Sequence, residues 1–543
     1  MSPKYPFPPA VSSAPDFIQR GVRLHDGGKF AEALAHFERA LQRRPDHPLA
    51  LWHYGRALIM LQQARRAVPF LEKAVALLPP AAGPHFDLGS AYGDALRTEE
   101  SVASFRAAIA LRPDWANAWS RLGRALTKAT HYAEAETVLR HALTLSGHRD
   151  DTLNHLGLLA KALDRHDEAV EFFLEAIRLQ PRFVEAWNHL GNTLAAQNKL
   201  DEALFAYQRS MALEPTNAAV KFNLAIVRLR QGTFNRDTWL KYEFRWVAIQ
   251  QSPQRSFTQP IWRGDETLAG KSILLYAEQG LGDTLQFARF AAVLAARGAT
   301  VHVEVQKGLK ALMQDLPGAT SVIAHGEPLP PFDFYCPLMS VPFALDTRLD
   351  SIPAGEPYVH AAPDRVEQWQ TRLPARGPLR VGVVWRGNPK HNNDANRSIA
   401  FALFRRIFAA EGCTFVGLQV ELTAEESATF AGTANCVNPA DRIKDFADTA
   451  AIIAQLDLVV AVDTSVAHLA GALGVPVWLL LPFSPDWRWM LEREDNPWYP
   501  TMRLFRQPAI GDWDSVLGRL ADELPAAAST SRHYDTQAAL LAG

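Results

Sequence analysis

Gly21, Gly55, Gly89, Gly123, Gly157 and Gly191 follow one another at a constant interval of 34 residues. A period of that length, held six times, constrains the fold more than any other feature of the chain. The same frame puts Ala33, Ala67, Ala135, Ala169 and Ala203 twelve positions after their glycines. Phe37, Leu71, Phe105, Leu139, Phe173 and Tyr207 come four positions later, and Pro45, Pro79, Pro113, Pro181 and Pro215 close the units. Small residues let two antiparallel helices approach, the large one fills the gap beside them, and proline stops the second helix. The frame slips at Ser101, where alanine is expected, and at Gly147, where proline is expected. A further helix, Ala218 to Arg230, carries Phe222, Leu224 and Val227 but has Ala225 in the glycine position, as a terminal capping unit does.

This pattern resembles the tetratricopeptide repeat over residues 14–217, which implies an α-solenoid of six helix pairs. Its concave face would be a binding surface for a protein partner or for a second copy of the chain. Trp119 and Trp187 recur at one repeat position and are expected to pack between helices. His36, His53, His85 and His155 share no metal-ligand spacing. Residues 1–13, rich in Pro and Ser, read as a disordered tail.

Past residue 217 the period is lost. Pro253, Pro260 and Gly264 interrupt a stretch holding Trp239, Trp246 and Trp262, so 218–270 reads as capping helix and packed connector. Ser272 to Tyr276 is then a strand, Glu278-Gln279-Gly280-Leu281-Gly282-Asp283 a tight turn, Leu285 to Ala296 a helix, and Thr300 to Val305 a second strand. That order is a strand-helix-strand unit with a parallel sheet. After a break at Pro374 to Pro378 the alternation restarts, with strands at Leu379 to Trp385, Thr414 to Leu418 and Asp457 to Val462. Two α/β halves, 271–373 and 374–524, with a cleft between them are the economical reading. A closing helix at 512–524 and a flexible tail at 525–543 complete the chain.

The sharpest local signal is the strand Val459 to Val462 running into Asp463-Thr464-Ser465, then a small-residue helix with His468 and Ala470-Gly471-Ala472, then Gly474-Val475-Pro476. Free N–H groups at that helix start attract phosphate, and small residues let a ligand close. Alternatively Asp463 or Thr464 is only the N-cap and the small residues only pack the helix on the sheet. Together, the two halves, the Gly-x-Gly-Asp turn and the Asp-Thr-x-x-x-His-Leu-Ala block resemble the bacterial heptosyltransferases of lipopolysaccharide core assembly, over roughly Gly270 to Leu524. That resemblance implies a GT-B fold of two Rossmann-like domains and a nucleotide-sugar donor. It implies Asp283 as general base, and Asp463 and Thr464 beside the donor phosphates and sugar, with Gly280, Gly282, Ser465 and His468 on the same two motifs. Ser465-Val466 stands where the family has Gly-Pro.

Glycosyl transfer needs a base for the acceptor hydroxyl and cationic or N–H partners for the leaving diphosphate. Asp283 meets the first need, unless it serves only to cap a helix starting at Thr284. Lys390 and Arg397, in the loop after the Leu379 to Trp385 strand, are candidates for the second, with a solvated basic loop as the alternative. No Asp-x-Asp pair stands at a strand end, so the transfer is expected to need no metal and no cofactor beyond the nucleotide-sugar co-substrate. Trp487, Arg488, Trp489, Trp498 and Tyr499 form an aromatic-basic cluster, read as interdomain packing in preference to stacking on a nucleotide.

Lys plus Arg number 56 against 58 Asp plus Glu, which leaves no global basic field for nucleic acid. Cys336, Cys413 and Cys436 are too few and scattered for a disulfide framework. With no signal peptide or apolar stretch of membrane length, a cytoplasmic protein is expected. The functional expectation is a glycosyltransferase whose repeats recruit a protein or glycan acceptor. The rival expectation is a non-catalytic scaffold whose degenerate transferase domain binds nucleotide or carbohydrate.

Overall fold

The 34-residue frame becomes twelve helices: Ala14–Asp26 and Phe30–Arg43, Pro48–Met60 and Ala64–Leu77, Ala82–Asp94 and Thr98–Leu111, Ala116–Lys128 and Tyr132–Thr144, Arg149–Ala162 and His166–Leu179, Val184–Ala196 and Leu200–Leu213. The structure is a computed structural model that describes residues 13–145, 147, 149–249, 255–374, 378–391 and 393–542. The chain divides into two units, one reaching Gln197 and taking in Gln208–Glu214, the other holding Asn198–Tyr207 and Pro215 onward.

Within the repeat unit the frame glycines are the contact points of each helix pair. A Cβ at Gly21 or Gly157 would lie 2.5 Å from the ring of Phe37 or Phe173, the large residue sixteen positions on. Where Ser101 replaces alanine, its buried hydroxyl donates to the Gly89 carbonyl at 2.7 Å, so the slip costs no unsatisfied group. Trp119 and Trp187 donate their indole N–H groups to the carbonyls of Pro113 and Pro181, at 2.7 and 3.1 Å. Each thereby ties its helix to the proline that ended the preceding one.

A second 34-residue period is visible only in the backbone. Gly28, Gln62, Leu96, Thr130, Asp164, Asn198 and Gly232 all have positive φ, between 57° and 78°. Each ends the first helix of its pair. The next residue closes the turn by donating its N–H to the carbonyl five positions back, as His131 does to Leu126 and Arg165 to Ala160, both at 2.9 Å.

The other unit carries two parallel sheets. Strands β1 (Ser272–Tyr276), β2 (Thr300–Val305), β3 (Ala319–Ala324) and β4 (Phe334–Pro337) form the first, in the order β3-β2-β1-β4. Strands β5 (Leu379–Val384), β6 (Cys413–Gly417), β7 (Cys436–Val437), β8 (Leu458–Val462), β9 (Val477–Leu481) and β10 (Met502–Arg506) form the second, in the order β10-β9-β8-β5-β6-β7. Both are doubly wound, so the connections diverge between β1 and β4 and between β5 and β8. A crevice opens at the carboxyl ends of the strands there. Every residue of β5 and β8 is buried, which is why these strands read as apolar runs broken only by Arg380.

The predicted capping helix occurs as Ala218–Arg230, but its Ala225 and Leu229 sit in the core of this α/β unit with Phe234, Trp239 and Trp262. The connector is core too: Trp239 donates to the Thr347 carbonyl at 2.7 Å. Pro253 lies outside the described residues, as do residues 1–12 of the predicted tail. Ser13 caps the first helix, its hydroxyl accepting from Asp16 N–H. Two expectations need correction. The helix predicted over Leu285 to Ala296 begins at Leu281 and is broken at Arg289, into Leu281–Ala288 and Phe290–Ala296. The predicted tail at 525–543 is instead helix as far as Ala542, continuous from Trp513 with Pro525 inside it. Proline removes one helical hydrogen bond there. The run Ala526-Ala527-Ala528 favours helix strongly, and Ala528 is buried in the apolar cluster of Leu520 and Leu524.

Candidate functional site

The turn after β1 is built around a buried fork. Arg245, from the connector, donates through Nε and Nη2 to the two carboxylate oxygens of Glu278, both at 2.9 Å. It also donates to Glu243 at 2.5 Å and to Ser340 Oγ at 2.7 Å, while Met339 N–H donates to Glu278 at 3.1 Å. Burial pushes the Glu278 carboxyl up, and the Arg245 charge opposes that shift. The network spans the carboxyl ends of β1 and β4, and so holds the turn that carries Asp283.

Asp283 is not the cap of a helix starting at Thr284. The N-cap is Gly280, and Asp283 is the third residue of the helix Leu281–Ala288, where its Oδ2 accepts from Gly280 N–H at 2.8 Å. Its other oxygen, Oδ1, accepts from Arg488 Nη2 at 2.5 Å. Arg488 is buried, donates through Nη1 to Asp486 at 2.8 Å and through Nε to Gln286 at 2.9 Å. Burial alone would lower its pKa. The Asp486 and Asp283 carboxylates outweigh that and hold the guanidinium charged. One cation from the segment after β9 therefore bonds a carboxylate at the end of β1.

At the end of β8, Thr464 is the N-cap of the helix Ser465–Ala472, yet its side chain makes no capping bond and Oγ1 is buried without a partner. The Asp463 carboxyl is pushed up to about 6 by burial first and by the Asp486 charge second, against Arg397 and Arg488. Arg397 reaches across the β5/β8 crevice to donate to the Asp463 carbonyl at 2.8 Å, while its Nε donates to Asp394 at 3.2 Å. It passes where Gly387 leaves room: a Cβ there would lie 2.5 Å from the guanidinium. His391 senses Arg397, Asp486, Asp394 and Asp283 together, after burial, in its lowered pKa.

The structure thus gathers Asp283, Arg397 and Asp463 into one charged neighbourhood with Thr464. It leaves Lys390 exposed, with no partner for its ammonium among the described residues. Gly282 and His468 are brought together in a different way, because a Cβ on Gly282 would lie 2.7 Å from the His468 ring. Their contact packs the helix Leu281–Ala288 on the helix Ser465–Ala472. His468 is buried, and burial with the surrounding arginines keeps it neutral beside the Tyr499 hydroxyl at 3.1 Å. Gly280 is exposed, and Ser465 is half-buried at the first helical position.

Trp487, Trp489, Trp498 and Tyr499 are buried, and Trp487 meets Phe234, Trp239, Tyr242 and Trp498 edge-on or tilted. They are packing residues, as expected. Arg488 between them is what sequence reasoning missed, together with Asp486 and the Arg245–Glu278 fork. The available signal was Asp486-Trp487-Arg488-Trp489 itself: an arginine amid so much aromatic area is buried and needs carboxylates. Among the described residues no three His, Cys, Asp or Glu side chains are grouped to hold a metal ion. No helix among them is long and apolar enough to cross a membrane.

Comparison with known proteins bears mainly on the first unit. Tetratricopeptide repeat models match residues 24–85, 86–149, 150–183 and 184–217. Protein FlbA of Caulobacter vibrioides is 28% identical over 332 residues, which is 56% of this chain and 55% of that protein. The chain therefore spans about half the length of that relative. Among solved structures, the Cut9–Hcn1 hetero-tetramer of the APC/C is 15% identical over 44% of this chain and 47% of that one, with a TM-score of 0.38. A tetratricopeptide repeat protein of Parabacteroides merdae is 16% identical over 45% of this chain and 94% of its own, at a TM-score of 0.37. Residues 24–217 of this chain are tetratricopeptide repeats.

Proposed function

We propose that the chain is a glycosyltransferase of GT-B type, moving a sugar from a nucleotide-sugar to an acceptor hydroxyl, with the repeats recruiting the acceptor. The observation that carries this reading is the Arg488 bridge: a buried cation at the end of one doubly wound sheet holding a carboxylate at the end of the other. Arg397 and Asp463 stand beside it at the β5/β8 divergence, where ligands bind in such sheets.

In this reading the donor diphosphate takes Arg488 and Arg397 as partners, with the N–H groups at Ser465 and the unpartnered Thr464 hydroxyl completing the cradle. Drawing Arg488 toward the diphosphate frees Asp283. Asp283 then accepts the acceptor's hydroxyl proton as the acceptor oxygen bonds to the anomeric carbon and the bond from that carbon to the diphosphate breaks. The nucleoside diphosphate leaves neutralised by the arginines. Lys390, on the exposed loop, is the outer cation of the same site.

A thermal-shift screen of the full chain against nucleotide sugars tests the donor half, since a ligand that binds only the native state raises the melting temperature. At least one donor should raise it, and Asp283→Asn should keep that shift while losing transfer. No shift with any donor would remove the reading. One observation favours the second reading, a binding scaffold: both Asp283 oxygens are engaged and Gly282 is closed by His468. A scaffold would bind donor and neither transfer nor hydrolyse it.

A further inference from the structure

The first helices of the third to sixth repeats, Ala82–Asp94, Ala116–Lys128, Arg149–Ala162 and Val184–Ala196, pack in succession. Hydrogen bonds between residues 35 apart tie them together: Ser120 Oγ with His155 Nδ1, and Asn154 Oδ1 with His189 Nδ1, both at 2.9 Å. Between the third and fourth repeats lies a cavity of about 50 Å³, lined by Ser90, Asp94, Ser101, Arg121, Arg124 and Lys128 among others. That is room for a carboxylate-sized group.

The cations here are left over. Arg124 is half-buried, Lys128 stands at the rim and Lys161 is half-buried on the next helix. None of the three makes a hydrogen bond or ion pair among the described residues. Arg121 meets only Asp151, at 3.7 Å, and its Nε is buried without a partner. The pKa values of all three are lowered by burial, with Arg121 adding to the effect at Arg124 and Arg124 at Lys128. His189 is pushed down to about 4, by burial first and then by Lys161 and Arg124, so both cations stand near it. His155 is likewise lowered by burial and then by Arg121 and Arg124. The acids nearest Arg124 are Asp94, Asp151 and Glu185, which act on it through space without bonding it. The first repeats show the alternative: Arg56 and Trp52 there share Asp87, at 3.3 and 2.7 Å. Cations partly stripped of water and unpaired lower the stability of the free protein, and a ligand that supplies the missing carboxylates recovers it.

We propose that this face binds an acidic segment of a partner protein, seating side-chain carboxylates among Arg124, Lys128 and Lys161. The proposal deepens the recruitment half of the reading above and is independent of the transfer chemistry. Discrete carboxylates separated by neutral residues fit the face better than a continuous polyphosphate, which Asp94, Asp151 and Glu185 would repel.

The test uses the full chain and a fluorescein-labelled peptide of alternating glutamate and alanine, read by fluorescence anisotropy. Binding should weaken as salt rises and should fall at least tenfold in the double variant Arg124→Gln/Lys161→Gln. A serine-alanine peptide of equal length should not bind. The melting temperature of the double variant should stay level or rise, because it removes two partly buried charges that lack a bonded carboxylate. No binding of the acidic peptide, binding the double variant keeps, a lowered melting temperature, or tighter binding of a single-stranded oligonucleotide of equal charge would each overturn the proposal. Loss of transfer with peptide binding intact would count against the catalytic reading alone.

Discussion

Two arginines of the α/β unit and three cations of the repeat unit are treated in opposite ways. In the α/β unit, Arg245 is gripped by Glu278 and Glu243, and Arg488 by Asp283 and Asp486. In the repeat unit, Arg124 stands near Arg121 and Lys128, Lys161 is half-buried on the next helix, and among the described residues no carboxylate bonds Arg124, Lys128 or Lys161. A buried cation with both partners in place fixes geometry, and one without partners stores an affinity. Arg245 thus holds the α/β unit's strand ends together, Arg488 must let go of Asp283 before it can take a ligand, and the three repeat-unit cations need release no carboxylate to take one.

Removing the best-paired cation should therefore do the most damage. Arg245→Leu leaves the buried Glu278 and the half-buried Glu243 unopposed, and should cost about 3–5 kcal/mol in denaturant unfolding. Lys161→Gln in the repeat unit removes a half-buried charge and strands no carboxylate, so it should leave stability level or raise it slightly. Comparable losses in the two variants would break the contrast. Next comes the helix contact that defines the repeat. Gly157→Ala drives a methyl against the buried Phe173 ring, and the overpacking should cost roughly 1–3 kcal/mol, read as a lower denaturant midpoint.

Particular groups in the two units should also answer acid with opposite signs. His53 and His189 are pushed down to about 4, by burial foremost, from an ordinary value of 6.5. The unfolded chain therefore binds more protons than the fold between those values, and the repeat unit loses stability as pH falls through that window. Asp463 does the reverse. Its folded value of about 6 lies above the ordinary 3.8, so its contribution is fullest below 3.8 and is lost as pH rises toward and through 6. Limited proteolysis of the full chain across that range should show repeat-unit cleavage rising toward low pH. Asp463→Asn should flatten the change in the α/β unit, and His189→Asn should reduce the acid loss in the repeats. Ionised Asp463 also opposes an anionic donor, so nucleoside diphosphate binding should weaken between pH 5 and 7 in the native chain and not in Asp463→Asn.

What was legible in the sequence follows from what is local or periodic. Gly157 and Phe173 sit sixteen residues apart in a repeating frame, so their contact could be inferred without coordinates. β1 could be placed at its limits because its buried residues form an apolar run, and β2 because its valines alternate with polar residues at the strand period. Asp283 could be singled out as a candidate because a carboxylate after a strand and a glycine turn is a local pattern. Arg488 was not, because its partner lies 205 residues away and its neighbours looked like packing alone. Arg397 and Lys390 share one loop and look alike in sequence; only the space left by Gly387 tells which one reaches Asp463. The helix past Pro525 was missed because proline was read as a stop, when the alanines after it and the burial of Ala528 carry the helix on.

The second period, of positive φ, was invisible for a related reason, and it supports the smallest prediction. Its positions hold Gln62, Leu96, Thr130, Asp164 and Asn198 between glycines at Gly28 and Gly232. No residue type marks them; the requirement belongs to the turn, which needs a left-handed residue whatever the side chain. Thr130 is the β-branched member, exposed, with φ of 62°. A left-handed conformation costs an L-residue roughly 1–2 kcal/mol, and glycine's extra freedom in the unfolded chain takes back about 0.5–1 kcal/mol. Thr130→Gly should therefore stabilise the repeat unit by about 0.5 kcal/mol, seen as a small rise in its denaturant midpoint. Asn198→Gly should instead lower stability, because asparagine already tolerates that region and its side chain donates to the Phe483 carbonyl at 2.6 Å and accepts from Arg230. A fall with Thr130→Gly would mean that the threonine side chain, not the backbone, holds that turn.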